Sequence, residues 1–231
     1  MLQLKNVDLS VSGHKLLSSI NVSFEKGRIY GVLGPNGSGK TTLFKTILGL
    51  ADFEGKILSS GNEKYGMLIE YPGFYDNLTV LENLILHAKY LQIDYSIDSI
   101  KSILLKMGLW SAKNKKFSTL SLGMKQKLGI ARAFFGDPTI ILLDEPTNGL
   151  DPIAIKEVRE LIRNTLISNS NCIIISSHNL NEIAAITDKL LFLRNGQIVK
   201  QIDNEGFSEK DLEEMYENII QGGTDENSTI Q

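Results

Sequence analysis

The chain has 231 residues and a formal net charge of −3, from 24 Lys and Arg against 27 Asp and Glu, so no basic field argues for a nucleic-acid partner. Its single cysteine, Cys172, excludes an intrachain disulfide, begins an apolar run and fits a reducing cytosol. No apolar run approaches the roughly twenty residues that span a bilayer, and residues 1–5 lack a signal-peptide profile, so any membrane involvement comes through another polypeptide.

In chain order, Leu2, Leu4, Val7, Leu9 and Val11 alternate with polar residues, and Ile20, Val22 and Phe24 repeat the pattern after a turn around Gly13. This predicts antiparallel strands with one wet face. Residues 29–33 read as a buried strand, and residues 42–50 as a helix with Leu43, Ile47 and Leu50 on one face. Short strands follow over 55–58 and 67–69, the second stopped by Pro72-Gly73. Thr79-Val80-Leu81-Glu82 has capping-box spacing and opens a helix, and residues 97–107 make another, with Ile100, Ile103, Leu104 and Met107 on its apolar face. Trp110 is expected to fill the core of this helical segment, and Lys113, Lys115 and Lys116 to be a solvated loop. Ser121 opens a helix over 122–135 with Lys125 and Lys127 outside. Strands over 139–143 and 172–176 alternate with helices over 152–168 and 180–186, the mark of an open α/β sheet. Residues 190–199 read as a hairpin turning at Asn195-Gly196, and residues 209–220 as an amphipathic helix before a polar tail from Gly222, expected to be disordered.

Between the buried strand at 29–33 and its helix lies Gly34-Pro35-Asn36-Gly37-Ser38-Gly39-Lys40-Thr41-Thr42. Strand, glycine loop and helix occur in phosphate-binding order. The glycines let successive N–H groups turn toward phosphate oxygens, Lys40 reaches the β- and γ-phosphates, and Thr41 offers a hydroxyl to Mg²⁺. The helix N-terminus adds its positive end. An enzyme of this kind must also hold a metal and position a water. Asp144 and Glu145 end a buried strand at the edge where open α/β sheets bind ligands: Asp144 for Mg²⁺, Glu145 to polarise the water. His178 follows the 172–176 strand at the same edge, within reach of a γ-phosphate. Leu120-Ser121-Leu122-Gly123-Met124-Lys125-Gln126 sets a serine and a glycine at a second helix start, which makes sense if it serves a nucleotide held by a neighbouring chain.

Together with Asn148-Gly149-Leu150-Asp151, these stretches resemble the nucleotide-binding subunits of ABC transporters over nearly the whole chain. The resemblance implies an α/β fold of the P-loop NTPase type, with a mixed sheet core, an antiparallel β subdomain and an inserted helical subdomain. It implies a nucleotide-binding domain over 1–205, with the helical part at about 74–135, and a C-terminal helix and tail over 206–231. It also implies ATP and Mg²⁺ as cofactors and Ser121 and Gly123 as contacts to ATP on a second copy in an ATP-sandwich dimer. Asp151 would belong to the loop linking the two sites. Separate transmembrane permease subunits would dock near Glu70 and the following helices, placing the chain in the cytoplasm, peripheral on the inner face of the cell membrane.

Three departures from the usual family pattern stand out. Leu122 and Met124 stand in place of glycine and glutamine; Glu70 replaces a glutamine, so its contact with metal-bound water must be that of an acceptor. Ser12 stands where an aromatic usually stacks on adenine, with His14 as a weak substitute, which leaves ATP against GTP open. The first two departures resemble the ATP-binding subunits of bacitracin and lantibiotic exporters, the self-immunity systems. A soluble ATPase of the same family acting on DNA or ribosomes is the alternative; it typically needs two cassettes or a long coiled-coil insertion, and the chain has neither. A small-molecule kinase shares the glycine loop but does not account for Ser121 and Gly123.

Overall fold

The structure is a computed structural model that describes residues 1–70, 73–204, 206–207 and 209–221. Strands β1 (Leu2–Val11) and β2 (His14–Phe24) form an antiparallel pair, followed by β3 (Ile29–Leu33) and helix α1 (Lys40–Ile47). Next come β4 (Glu54–Leu58) and β5 (Tyr65–Leu68), then the helical insertion α2 (Val80–Tyr90), α3 (Ile97–Lys106) and α4 (Leu122–Phe134). The chain returns through β6 (Ile140–Asp144), α5 (Pro152–Leu161), β7 (Cys172–Ser177) and α6 (Leu180–Ala184), and ends in β8 (Lys189–Arg194), β9 (Gln197–Asp203) and α7 (Glu209–Gln221).

Among the described residues two sheets form: a three-stranded one in the order β2-β1-β4, and a six-stranded one in the order β5-β6-β7-β3-β8-β9. In the larger sheet all neighbours are parallel except the β8–β9 hairpin. Both faces of its central strands are buried, and alternate residues feed different cores. Ile141, Leu143, Ile173, Ile175, Leu190 and Phe192 face the helical insertion and α6. Ile140, Leu142, Cys172, Ile174, Leu191 and Leu193 face α1 and the small sheet. Continuous apolar runs are what burial on both sides demands. Cys172 is part of that packing, and burial pushes its thiol up to about 12, far from a reactive thiolate.

The anticipated elements are present with shifted ends. Helix α1 starts at Lys40, not 42, because Gly39 is its N-cap at φ +107, and it stops before Gly49 at φ +70, leaving Leu50 exposed. The capping box at Thr79 and Glu82 is formed. Helix α5 passes into a π turn over Ile162–Leu166. Trp110 is only half-buried, with Lys113 Nζ at 4.7 Å and Lys101 Nζ at 5.5 Å from its ring. Lys125 and Lys127 are half-buried rather than outside: one lies over Phe117, the other pairs with Glu157 at 2.5 Å, because long stems cover apolar surface. Pro72 and the tail from Gly222 lie outside the described residues.

Helix α4 crosses edge strand β5 so closely that a Cβ on Gly66 would overlap the carbonyl oxygen of Ala133. Gly66→Ala is therefore expected to destabilise the chain by about 2–3 kcal/mol, as overpacked backbone does. Gly73→Ala, where a Cβ meets nothing within 4 Å, is the matched control. Urea unfolding of the two variants measures the difference.

Candidate functional site

The C-terminal ends of β3, β6 and β7 converge at the loop before α1. Gly34 admits no side chain, since a Cβ would run into Leu193 O and Ser38 Oγ. The first N–H groups of α1 open into the loop, which is the donor array an anion needs. Lys40 is 7% exposed at its side chain; its Nζ donates to Gly34 O at 2.8 Å and Pro35 O at 3.3 Å. It also lies 3.3 Å from Glu145 Oε1. A cavity of about 540 Å³ opens over the loop, lined by Asn36, Gly37, Gly39, Lys40, Thr41, Thr42 and Glu145 among others. That volume suits a small ligand.

Beneath the cavity, Thr41 Oγ1 donates to Asp144 Oδ2 at 2.5 Å. Ser176 Oγ donates to the other oxygen, Asp144 Oδ1, at 2.5 Å and accepts the Glu145 N–H at 3.0 Å. Glu145 itself sits at φ +48, a left-handed conformation that is costly for a residue with a Cβ. Its two oxygens are divided: Oε1 faces Lys40, and Oε2 meets His178 Nδ1 at 2.8 Å. A carboxylate only accepts, so the imidazole nitrogen facing it carries the proton. A second brace lies outside the first. Glu182 Oε2 accepts from Thr147 Oγ1 at 2.6 Å and its Oε1 from Asn179 Nδ2 at 3.0 Å, linking the loops that follow Glu145 and His178.

Asn36, Gly37, Gly39, Lys40, Thr41, Thr42, Asp144, Glu145 and His178 are thus brought together, with Gly34 and Ser38 forming the base of the loop. Glu70 is placed at the same sheet edge but engages another group. It lies beyond β5 at φ +57, 64% exposed at its side chain, with Oε1 at 2.7 Å from Lys45 Nζ. Lys45 is one helical turn beyond Thr41 on α1. Ser121 and Gly123 do not line the cavity. Ser121 is exposed and caps α4 by accepting the Met124 N–H at 3.3 Å; Gly123 lies by Leu150 and Ala154.

Ser176, Thr147 and Glu182 were not anticipated. The usable signal was the break in the run Ile173-Ile174-Ile175 by a hydroxyl that, once β6 and β7 are registered, stands opposite Asp144.

Residues 17–148 match the family described as ABC transporter. The chain belongs to that family. It is 37% identical over 228 residues to the lantibiotic transport ATP-binding protein SrtF of Streptococcus pyogenes, covering 95% of this chain and 97% of that one. It is 40% identical over 212 residues to the bacitracin transport ATP-binding protein BcrA of Bacillus licheniformis, covering 86% and 69%. Its fold matches that of cbiO1 from Clostridium perfringens, with a TM-score of 0.80 at 24% identity over 94% of both chains. A dimeric bacterial ABC transporter cassette gives 0.78 at 24% identity, over 90% of this chain and 100% of that one. The chain is accordingly an ABC ATPase that binds ATP.

The outer wall of this ABC cassette's cavity includes Lys15 and Leu16, not Ser12 or His14. Ser12 sits in the β1–β2 turn at φ +50, and Lys15 is held by Asp8 at 2.6 Å. An aliphatic side chain and a paired ammonium offer no aromatic face to a base. GTP and CTP are therefore expected to displace a fluorescent ATP analogue within about tenfold of ATP, the range one aromatic stack covers. Competition binding measures this; a preference for ATP of several hundredfold would mean that other groups read the base.

Proposed function

We propose that this chain is the ATP-hydrolysing motor of a multisubunit exporter of antimicrobial peptides, lantibiotics or related drugs, serving self-immunity or resistance. The observation that carries the catalytic part is the Glu145 carboxylate, held between Lys40 and His178 over the glycine loop. In this reading Lys40 moves its hydrogen bonds from Gly34 O and Pro35 O to phosphate oxygens. Glu145 takes the proton of the attacking water, and His178 keeps that carboxylate aimed through Nδ1. The names of the relatives, lantibiotic and bacitracin transport proteins, support the cargo class.

Thr41 and Asp144 present a hydroxyl and a carboxylate, hard oxygen donors that fit Mg²⁺, an ion usually held by one or two protein oxygens with phosphates and water. Once bound, the ion would neutralise charge on the transferred phosphoryl group. Glu70 approaches that site only if it leaves Lys45, and as a carboxylate it would accept from metal-bound water.

Two identical chains are proposed to close head-to-tail, each lending Ser121 and Gly123 to the other's ATP. Supporting this, Leu122 and Ile153, beside Ser121 and Asp151, are 47% and 74% exposed, a cost that a partner surface would remove. The permease is proposed to dock beside β5, holding the chain on the inner face of the membrane. There a cavity of about 660 Å³ lies among Met67, His87, Leu91, Arg132 and Phe135. Arg132 also donates to Gly73 O at 3.1 Å and stacks 4.5 Å from the Phe74 ring, so the groove is tied to the segment after Glu70.

Glu145→Gln is expected to lower steady-state hydrolysis at least about a hundredfold, the scale of a lost general base, with ATP binding retained. Near-normal turnover would overturn the assignment. Ser121→Ala is expected to weaken ATP-dependent dimerisation while the monomer still binds ATP; an unchanged dimer mass by light scattering would count against contacts in trans. Purified from host membranes with ATP and Mg²⁺, tagged Glu145→Gln chain should bring polytopic membrane proteins in fixed ratio, and ribosomal or DNA-repair proteins in their place would refute the exporter reading.

A further inference from the structure

We infer that Ser176 is a positioning residue for the reaction, setting both the metal-facing carboxylate and the backbone of the proposed general base. Three independent features lead there. The register pairs Asp144 with Ser176 across β6 and β7, and alternation turns Ser176 to the face that carries Cys172 and Ile174, the side on which α1 packs. Its hydroxyl is wholly buried and uses both capacities, donating to Asp144 Oδ1 at 2.5 Å and accepting from Glu145 N at 3.0 Å. The three preceding residues are all isoleucine, so an apolar residue would suit the sheet as well or better. A buried hydroxyl in such a run is costly unless bonded, and here both of its bonds go to residues of the site.

The consequences are geometric. With one oxygen held by Ser176, the Asp144 carboxylate cannot rotate about its last bond, so Oδ2 stays toward Thr41. With its N–H bonded to the same hydroxyl, Glu145 is kept in the left-handed conformation that sends its side chain back to Lys40 and His178. Ser177, by contrast, turns to the other face, and its hydroxyl accepts the Asn179 N–H at 2.9 Å. Removing the Ser176 hydroxyl leaves a carboxylate oxygen and a backbone N–H without their shared partner while the loop that holds the nucleotide is untouched.

This inference rests on Asp144 being the metal carboxylate, and the experiment separates the two. Full-length Ser176→Ala, Ser176→Cys and Asp144→Asn chains are loaded with a non-hydrolysable ATP analogue, and bound Mn²⁺ is measured by electron paramagnetic resonance. Analogue binding in EDTA and ATP turnover at saturating Mn²⁺ are measured alongside. For both serine variants the Mn²⁺ dissociation constant is expected to rise about tenfold, the scale of a lost outer-shell partner. Analogue binding in EDTA is expected to stay within about twofold of wild type, while turnover at saturating Mn²⁺ stays lowered because the Glu145 amide has lost its acceptor. The cysteine variant keeps the shape of serine with a weaker donor and decides the matter if the alanine chain does not fold. Unchanged Mn²⁺ affinity in the serine variants, with Asp144→Asn impaired, overturns the role of Ser176. Unchanged affinity in Asp144→Asn overturns the metal assignment beneath it. A parallel loss of analogue binding in EDTA makes Ser176 a packing residue, and full recovery of turnover at saturating Mn²⁺ removes Glu145 from its charge.

Discussion

A carboxylate is buried only where donors replace its water, and in this chain Asp144 is the place where that condition organises the rest. It is 6% exposed, and each of its oxygens takes a hydroxyl hydrogen, one from the head of α1 and one from the end of β7. Those bonds join the glycine loop to two neighbouring strands that lie far from it in sequence. They require a register. Side chains alternate along a strand, so a slip of one residue between β6 and β7 would turn the serine from the carboxylate and every core residue to the wrong face.

The core makes such a slip prohibitive. Each central strand feeds both hydrophobic layers, so no face is free to absorb an error. The edge where the strands end can therefore hold conformations that would not persist alone. Glu145 and Glu70 are left-handed residues with side chains, each costing on the order of 1–3 kcal/mol. At Glu145 the adjoining bonds to Ser176, Lys40 and His178 keep the conformation in place.

The same strands connect the interior site to surfaces that face outward. Strand β5 contributes Met67 to the groove under α2 and α4 and leads to Glu70, which pairs with Lys45 one turn beyond Thr41. On the other side, the loop after Glu145 passes Gly149, against Leu122 of α4, and ends at Asp151, whose carboxylate accepts the N–H groups of Ile153 and Ala154 at 3.0 Å. A change at the carboxylates reaches the Asp151 surface through a few covalent residues, and the β5 surface through the β5–β6 pairing and the Glu70–Lys45 ion pair.

Much of this was legible without coordinates, because it depends on local rules. Residues 34–42 need glycine for backbone shape and an adjoining helix for its N–H groups, and both are visible in consecutive residues. The apolar runs ending at Leu33, Leu143 and Ile175 announced strands buried on two sides, and Thr79 with Glu82 announced a helix start. Asp144, Glu145 and His178 could be named because they follow such runs. What the sequence could not reveal was partnership between separate elements: Ser176 with Asp144, Glu182 with Thr147, Glu70 with Lys45, and Leu16 as the wall beside the loop. The three side-chain pairs join residues 32, 35 and 25 positions apart, and they meet only once strand order, register and the packing of α1 and α6 on the sheet are set, properties of the packed chain that no single stretch contains.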